Sequence, residues 1–208
     1  MKRVIKCIQD LRYDAINALV ERRKREFKAL GNSSSKELFK EMCFCILTAN
    51  YTAEGGIRIQ KEIGDGFLTL SERRLAARLK ELGHRFPNTR ANYIVEARKH
   101  TAGLKKTLSS FSCTADARDW LAKNVKGLGY KEASHFLRNI GHDDVAIVDF
   151  HIIDFLVDHG AVERPKTITP RKYVEIEDVL KKIGLGAGMD MAELDLYMWY
   201  CETGKILK

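Results

Sequence analysis

Apolar residues recur at three- and four-residue intervals along most of the chain, the spacing of one face of a helix. The first such run, Leu11 to Leu30, carries Leu11, Ala15, Ile16, Leu19, Val20 and Phe27. A Gly-Asn-Ser-Ser-Ser loop, Gly31 to Ser35, interrupts it. From Lys36 to about Ala49 the run Met42–Leu47 is apolar nearly all round, which predicts a buried helix. Further helices are expected to begin near Glu54, Ser71, Asn88 and Thr114, with Ser71 and Thr114 as N-caps. Two more flank Gly127-Leu128-Gly129, and another runs from Asp149 to Gly160. Thr169-Pro170 opens a helix to Ile183, because proline suits the first turn. Gly184 to Gly188 reads as a loop, and the last helix spans about Met189 to Thr203. Val145 to Val148 is β-prone but only four residues long, so it reads as a connector. With three prolines in the chain, no strand alternation and no repeat, the pattern predicts an all-α fold.

Composition narrows the classes. The chain has 208 residues, 45% hydrophobic and 31% charged, an ordinary balance for a soluble globular protein and not for a disordered one. A net charge of +8 points to a polyanionic partner. No apolar run approaches the ~18 residues of a membrane helix. Met1 to Asp10 has no signal-peptide core. Cys7, Cys43, Cys45, Cys113 and Cys201 lack zinc or iron–sulfur spacing, so reduced thiols in the cytoplasm or nucleoid are expected, with no metal and no cofactor.

The hairpin Lys126-Gly-Leu-Gly-Tyr-Lys131 carries the candidate chemistry. Gly127 and Gly129 let the turn adopt positive φ and let another backbone approach closely. Amides of the turn and of the next helix start would then face a DNA phosphate. Such a contact reads backbone and not sequence. Lys131 falls in the first turn, where the helix dipole disfavours an ammonium. That placement predicts a lowered pKa and a nucleophilic amine, the alternatives being a phosphate contact or a solvated side chain. Eighteen residues later Asp149 leaves the apolar connector as a natural N-cap, with a carboxylate edge free to face a pocket.

Gly127-Leu-Gly-Tyr-Lys131 followed by Val-Asp149-Phe-His resembles the helix-hairpin-helix signature of the endonuclease III superfamily of DNA glycosylases, although Lys126 replaces the usual proline. Phe44-Cys-Ile-Leu-Thr-Ala-Asn50, Thr52-Ala-Glu-Gly-Gly-Ile-Arg58, Gly83-His-Arg-Phe86, Lys131-Glu-Ala-Ser-His-Phe-Leu-Arg-Asn139, Leu194-Asp-Leu-Tyr197, Trp199-Tyr200 and the final Lys208 resemble the type 2 8-oxoguanine DNA glycosylase/AP lyases.

The resemblance implies two helical subdomains, 36–130 and 1–35 plus 131–208, with a helix-hairpin-helix at about 115–140 at the mouth of a cleft. It implies a monomer acting on double-stranded DNA containing 8-oxoguanine. Lys131 would be the Schiff-base nucleophile and Asp149 its partner in base departure. Lys208 would help recognise the lesion through its terminal carboxylate. Trp199 and Phe86 are aromatic candidates for stacking on the flipped base or filling the gap in the duplex. Asp195, in an apolar string, reads as a paired structural acid or a pocket acid. Two alternatives stay open: a non-catalytic helix-hairpin-helix DNA-binding module, and a glycosylase for another damaged base. The Lys131–Asp149 pair separates the first alternative, because a binder needs the glycines but not the nucleophile.

Overall fold

The computed structural model describes residues 2–12 and 15–208. Thirteen α-helices, one 3-10 turn at Arg98–His100 and no strand occur among the described residues. The helices are α1 (Lys2–Leu11), α2 (Ile16–Gly31), α3 (Ser35–Thr48), α4 (Ala53–Ile63), α5 (Gly66–Thr69), α6 (Glu72–Glu81), α7 (Pro87–Ala97), α8 (Leu104–Ser109), α9 (Thr114–Asn124), α10 (Tyr130–Asn139), α11 (Phe150–Asp158), α12 (Pro170–Ala187) and α13 (Met191–Thr203).

Most starts follow from local chemistry. Ser34, Thr52, Ser71, Thr169 and Asp190 each accept a backbone N–H three residues on, at 2.8–3.4 Å. Each satisfies one of the amides a helix start leaves unpaired, worth about 1 kcal/mol.

Three expectations are corrected. The run Leu11–Leu30 is two helices, since Leu11 ends α1 and Ile16 begins α2; Tyr13 and Asp14 lie outside the described residues. Thr114 is the first helical residue and not the cap: Cys113 holds the cap position, and the Thr114 hydroxyl pairs with His142 Nδ1 at 3.0 Å. The glycine-rich stretch from Gly184 is helical as far as Ala187, and the break comes at Gly188, φ +70°. Glycine inside a helix costs about 1 kcal/mol relative to alanine. Tertiary contact explains why it is tolerated here. A Cβ on Gly186 would lie 2.6 Å from Ile5 Cδ1 of α1, and one on Gly184 would lie 3.1 Å from the Met189 carbonyl oxygen.

Two apolar cores form. The first surrounds α3, whose Phe39, Met42, Phe44, Ile46 and Leu47 are fully buried, and it takes residues from Leu38 to Val145. The second joins α1 and α2 to the chain after Ala146, with Ile8, Phe27, Phe155, Tyr173 and Tyr197 at its centre. The changeover falls inside the connector, between Val145 and Ala146. Helix α10 gives Ala133, Phe136, Leu137 and Ile140 to the first core, although the sequence reading grouped 131–140 with the termini. The lysine of α10 and the aspartate after the connector therefore arise where the two cores meet.

Candidate active site

The hairpin joins α9 to α10 through Val125–Gly129. Val125 and Leu128 are buried and anchor the turn from beneath. Gly127 sits at φ +92°, and a Cβ there would lie 2.5 Å from Tyr93 Cδ2. Both conformation and space require glycine. Gly129 has an ordinary φ of −89°, and its N–H donates to Glu132 Oε2 at 3.2 Å. That amide, expected to face a phosphate, is occupied by the chain's own carboxylate. Lys126 donates to Glu96 Oε1 at 3.1 Å and lies against the Tyr93 ring.

Lys131 is the second residue of α10. Its side chain is 27% exposed, with Nζ 3.9 Å from Glu132 Oε1. Asp149 caps α11, Oδ1 accepting the Ile152 N–H at 3.0 Å, as its position in the sequence predicted. Asp195 of α13 is buried beside Arg138. Burial raises the Asp195 carboxyl to about 6; the Arg138 charge opposes this, Asp149 adds to it, and Lys131 opposes it. Arg138 Nη2 lies 3.3 Å from Asp195 Oδ2. Asp195 is therefore a paired acid, on which the charges of Lys131 and Asp149 also act.

The residues that hold this arrangement were missed in the sequence. Arg118 of α9 and Glu177 of α12 form a buried ion pair at 2.6 Å, 3% and 1% exposed. Glu177 Oε1 also accepts the Ala146 N–H at 3.0 Å. The Tyr173 hydroxyl donates to the Ala146 carbonyl at 2.8 Å and accepts the Val148 N–H at 3.1 Å. The connector thus obtains from α12 the hydrogen bonds that a sheet would have supplied. Arg118 also lies over the rings of Tyr130 and Tyr173. One network thereby touches the residue before Lys131 and the connector before Asp149. The available signal was an acid in an apolar stripe: Tyr173, Ile176, Glu177, Leu180 and Ile183 share a helical face.

The aromatic candidates occupy different places. Trp199 on α13 packs edge-on to His151, ring centroids 4.7 Å apart, and its buried Nε1 has no hydrogen-bond partner. His151 stacks on Phe150, which is 65% exposed beside Asp149 and which sequence reasoning had not singled out. Phe86, 36% exposed, precedes α7 and lies within cation–π range of Arg85 and Arg90. Its N–H donates to His84 Nδ1 at 3.0 Å, while His84 Nε2 pairs with the Leu47 carbonyl at 3.0 Å. That fixes the loop by a buried, neutral imidazole whose pKa is lowered by burial.

Lys208 is folded back onto the first core. Its Nζ donates to Glu41 Oε2 at 2.7 Å and to Gln60 Oε1, and lies 4.2 Å from the Phe44 ring centroid. His135 is buried edge-on to Phe44, with both ring nitrogens unpartnered. Burial holds the imidazole well below its usual pKa, and the charges of Arg138 and Lys131 push the same way. All five cysteines are free thiols, Cys43 and Cys45 inside α3. No helix among the described residues is long and apolar enough to cross a membrane.

An all-α chain with a glycine hairpin opening a lysine-bearing helix, and a capping aspartate at the junction of two cores, defines the helix-hairpin-helix class. A family model for 8-oxoguanine DNA glycosylase matches residues 20–189. The chain belongs to the helix-hairpin-helix 8-oxoguanine DNA glycosylase family. A Methanocaldococcus jannaschii protein named 8-oxoguanine DNA glycosylase/AP lyase is 54% identical over 206 residues, 99% of each chain. A Korarchaeum cryptofilum protein of the same name is 52% identical over 202 residues, 97% of this chain and 96% of its own. The crystal structure of the M. jannaschii glycosylase/lyase in complex with a 15mer DNA containing 8-oxoguanine superposes with a TM-score of 0.96, covering 99% of this chain and 100% of that one.

Proposed function

We infer that this chain is an 8-oxoguanine DNA glycosylase/AP lyase, with Lys131 as nucleophile and Asp149 as its acid–base partner. The observation that carries the assignment of roles is the placement of Lys131 and Asp149 at two helix starts where the two cores meet. The substrate class rests on the family and on full-length relatives bearing that name.

A base stacked in a duplex cannot present its glycosidic bond, so the nucleotide is flipped out at a cost of a few kcal/mol. The Lys131 amine, as free base, attacks C1′ and the C1′–N9 bond breaks. The purine leaves with the bonding pair and takes up a proton. Asp149 stabilises the positive charge that develops on the sugar and carries the proton released by the amine. Ring opening leaves an imine between Lys131 and C1′. Loss of a C2′ proton then expels the 3′ phosphate by β-elimination. The hairpin around Gly127 and Gly129 lies along the DNA backbone, and the basic surplus adds salt-sensitive affinity.

Lys208 meets the flipped base, and Trp199 and Phe86 stack against the base or the gap it leaves. The two cores act as subdomains, close to 36–130 and the joined termini except that α10 packs with the first, and the DNA lies in the cleft between them. The protein works inside the cell as a monomer.

Borohydride trapping tests this reading on a duplex with one 8-oxoguanine opposite cytosine. The native protein is expected to give a covalent adduct on damaged DNA alone, and Lys131→Gln to give none while still binding. DNA binding without adduct or base release would leave a binding module or a glycosylase for another lesion.

A further inference from the structure

The contacts of Lys208 raise a question that chain termini usually do not. A terminal lysine frays into water by default, because ordering a long charged side chain costs entropy. Here its ammonium is desolvated against the Phe44 ring and shared between Glu41 and Gln60. Glu41 is 3% exposed and lies within the apolar run of α3. Its other oxygen, Oε1, accepts from Asn139 Nδ2 of α10 at 2.6 Å. Gln60 Nε2 donates to Glu41 Oε2 and to the Lys40 carbonyl, each at 3.0 Å, which aims its Oε1 at the lysine. Every polar atom of the Glu41 carboxylate is thus committed, and Lys208 is its charge partner.

A buried ion pair of this kind is poor evidence for stability, since desolvation offsets much of the attraction, but it fixes one geometry. What it fixes here is Lys208 on the Phe44 ring, whose edge contact is His135, one turn after Lys131 on α10. His135 is buried, its ring edge-on to Phe44. An imidazole and a pinned polar backbone close together form a place for a purine edge.

We propose that Glu41, with Gln60, is a positioning residue for lesion recognition: it holds the Lys208 ammonium so that the backbone of that residue stays at the base site beside His135. The inference rests on the reading of Lys208 as the lesion-contacting residue. Glu41 itself touches no reacting atom.

The test compares single-turnover excision of 8-oxoguanine with β-elimination at a preformed abasic site, where there is no base to recognise. Glu41→Gln is expected to slow excision about tenfold, equivalent to about 1.4 kcal/mol, with elimination within about twofold of native. Gln60→Leu, on the less buried side of the socket, is expected to slow excision about threefold, given the modest worth of one hydrogen bond. Lys208→Met removes the ammonium from Glu41 and leaves the Glu41–Asn139 and Glu41–Gln60 bonds in place. It is expected to slow excision as Glu41→Gln does, and the double variant to be no slower than the slower single one.

Native excision rates in Glu41→Gln, parallel loss of excision and elimination, or multiplicative effects in the double variant would each overturn the proposal. Should Glu41→Gln fail to fold, a native excision rate in Lys208→Met and Gln60→Leu overturns it, and slowed excision in both supports it. If the native protein trims abasic sites but leaves 8-oxoguanine in place, the substrate reading fails and the socket's role fails with it. Failure of the variants alone leaves the substrate reading standing.

Discussion

The lysine–aspartate site and the Lys208 socket both draw on α10, through Lys131 and Asn139, yet they are built in opposite ways. Lys131 and Asp149 each occupy the start of a helix, and each start is specified by a few neighbouring residues: Gly127 and Glu132 for one, the Asp149 cap bond for the other. The socket gathers Glu41, Gln60, Asn139 and Lys208, with up to 167 residues between partners. The difference teaches that side chains at helix starts can be oriented by short-range geometry, whereas a buried polar socket is assembled from distant parts. Even the lysine–aspartate pair needs one long-range device. The Arg118–Glu177–Tyr173 network sets the distance between two helix starts that are individually well formed.

That device offers the sharpest way to break the comparison. Arg118→Met leaves Glu177 buried without its charge partner. We expect a loss of about 3–5 kcal/mol in denaturant unfolding, the usual cost of removing one side of a buried pair. A stability within 1 kcal/mol of native, by the same scale, would show that the connector holds Asp149 in place unaided.

Acid titration sharpens it next. Asp195 is raised from 3.8 to about 6, so in that interval the folded state binds more protons than the unfolded one. Its contribution to stability is full below pH 3.8 and is lost as the pH rises through about 6. The buried His135, held below 6.5, acts with the opposite sign, its contribution being lost as the pH falls below 6.5. Asp195→Asn removes only the first effect. Relative to native protein, this variant should gain up to about 3 kcal/mol between pH 4 and pH 7 in thermal or urea unfolding. A difference independent of pH would mean that Asp195 is ionised throughout.

Asp149→Asn separates chemistry from capping, because asparagine caps a helix as well as aspartate does. Base excision should fall about 100-fold, the lower end of acid–base contributions. The melting temperature should stay within about 2 °C, less than 1 kcal/mol is worth in a chain of this size. A large drop in melting temperature would tie the residue to folding instead.

Gly127→Ala has the smallest expected effect, about 2 kcal/mol or roughly 4–8 °C in melting temperature, from a positive φ and a clash with Tyr93. An unchanged melting temperature would show that the turn can relax without cost.

The helices, their caps and the hairpin were legible in the chain because each depends on residues within one or two turns. Ser71, Asp149 and Thr169 were identified as caps from type and spacing, and the structure makes each bond. Where local signals misled, packing had overridden them. Gly184 and Gly186 read as a loop, yet they lie inside α12, where Gly186 packs under the Ile5 side chain of α1. Thr114 looked like a cap, yet His142 claims its hydroxyl from a distant loop.

By itself, then, the sequence determined the all-α class, the Lys131 and Asp149 helix starts and the family resemblance carried by the hairpin. Those are matters of helical period, turn conformation and capping, which operate over a few residues. The tertiary structure alone decided that Arg138 pairs with the buried Asp195, that α12 supplies the connector's hydrogen bonds, and that Lys208 returns to α3. Those outcomes depend on burial. A buried polar atom must find a partner wherever the fold brings one near, and the identity of that partner is not encoded in its own surroundings in the chain.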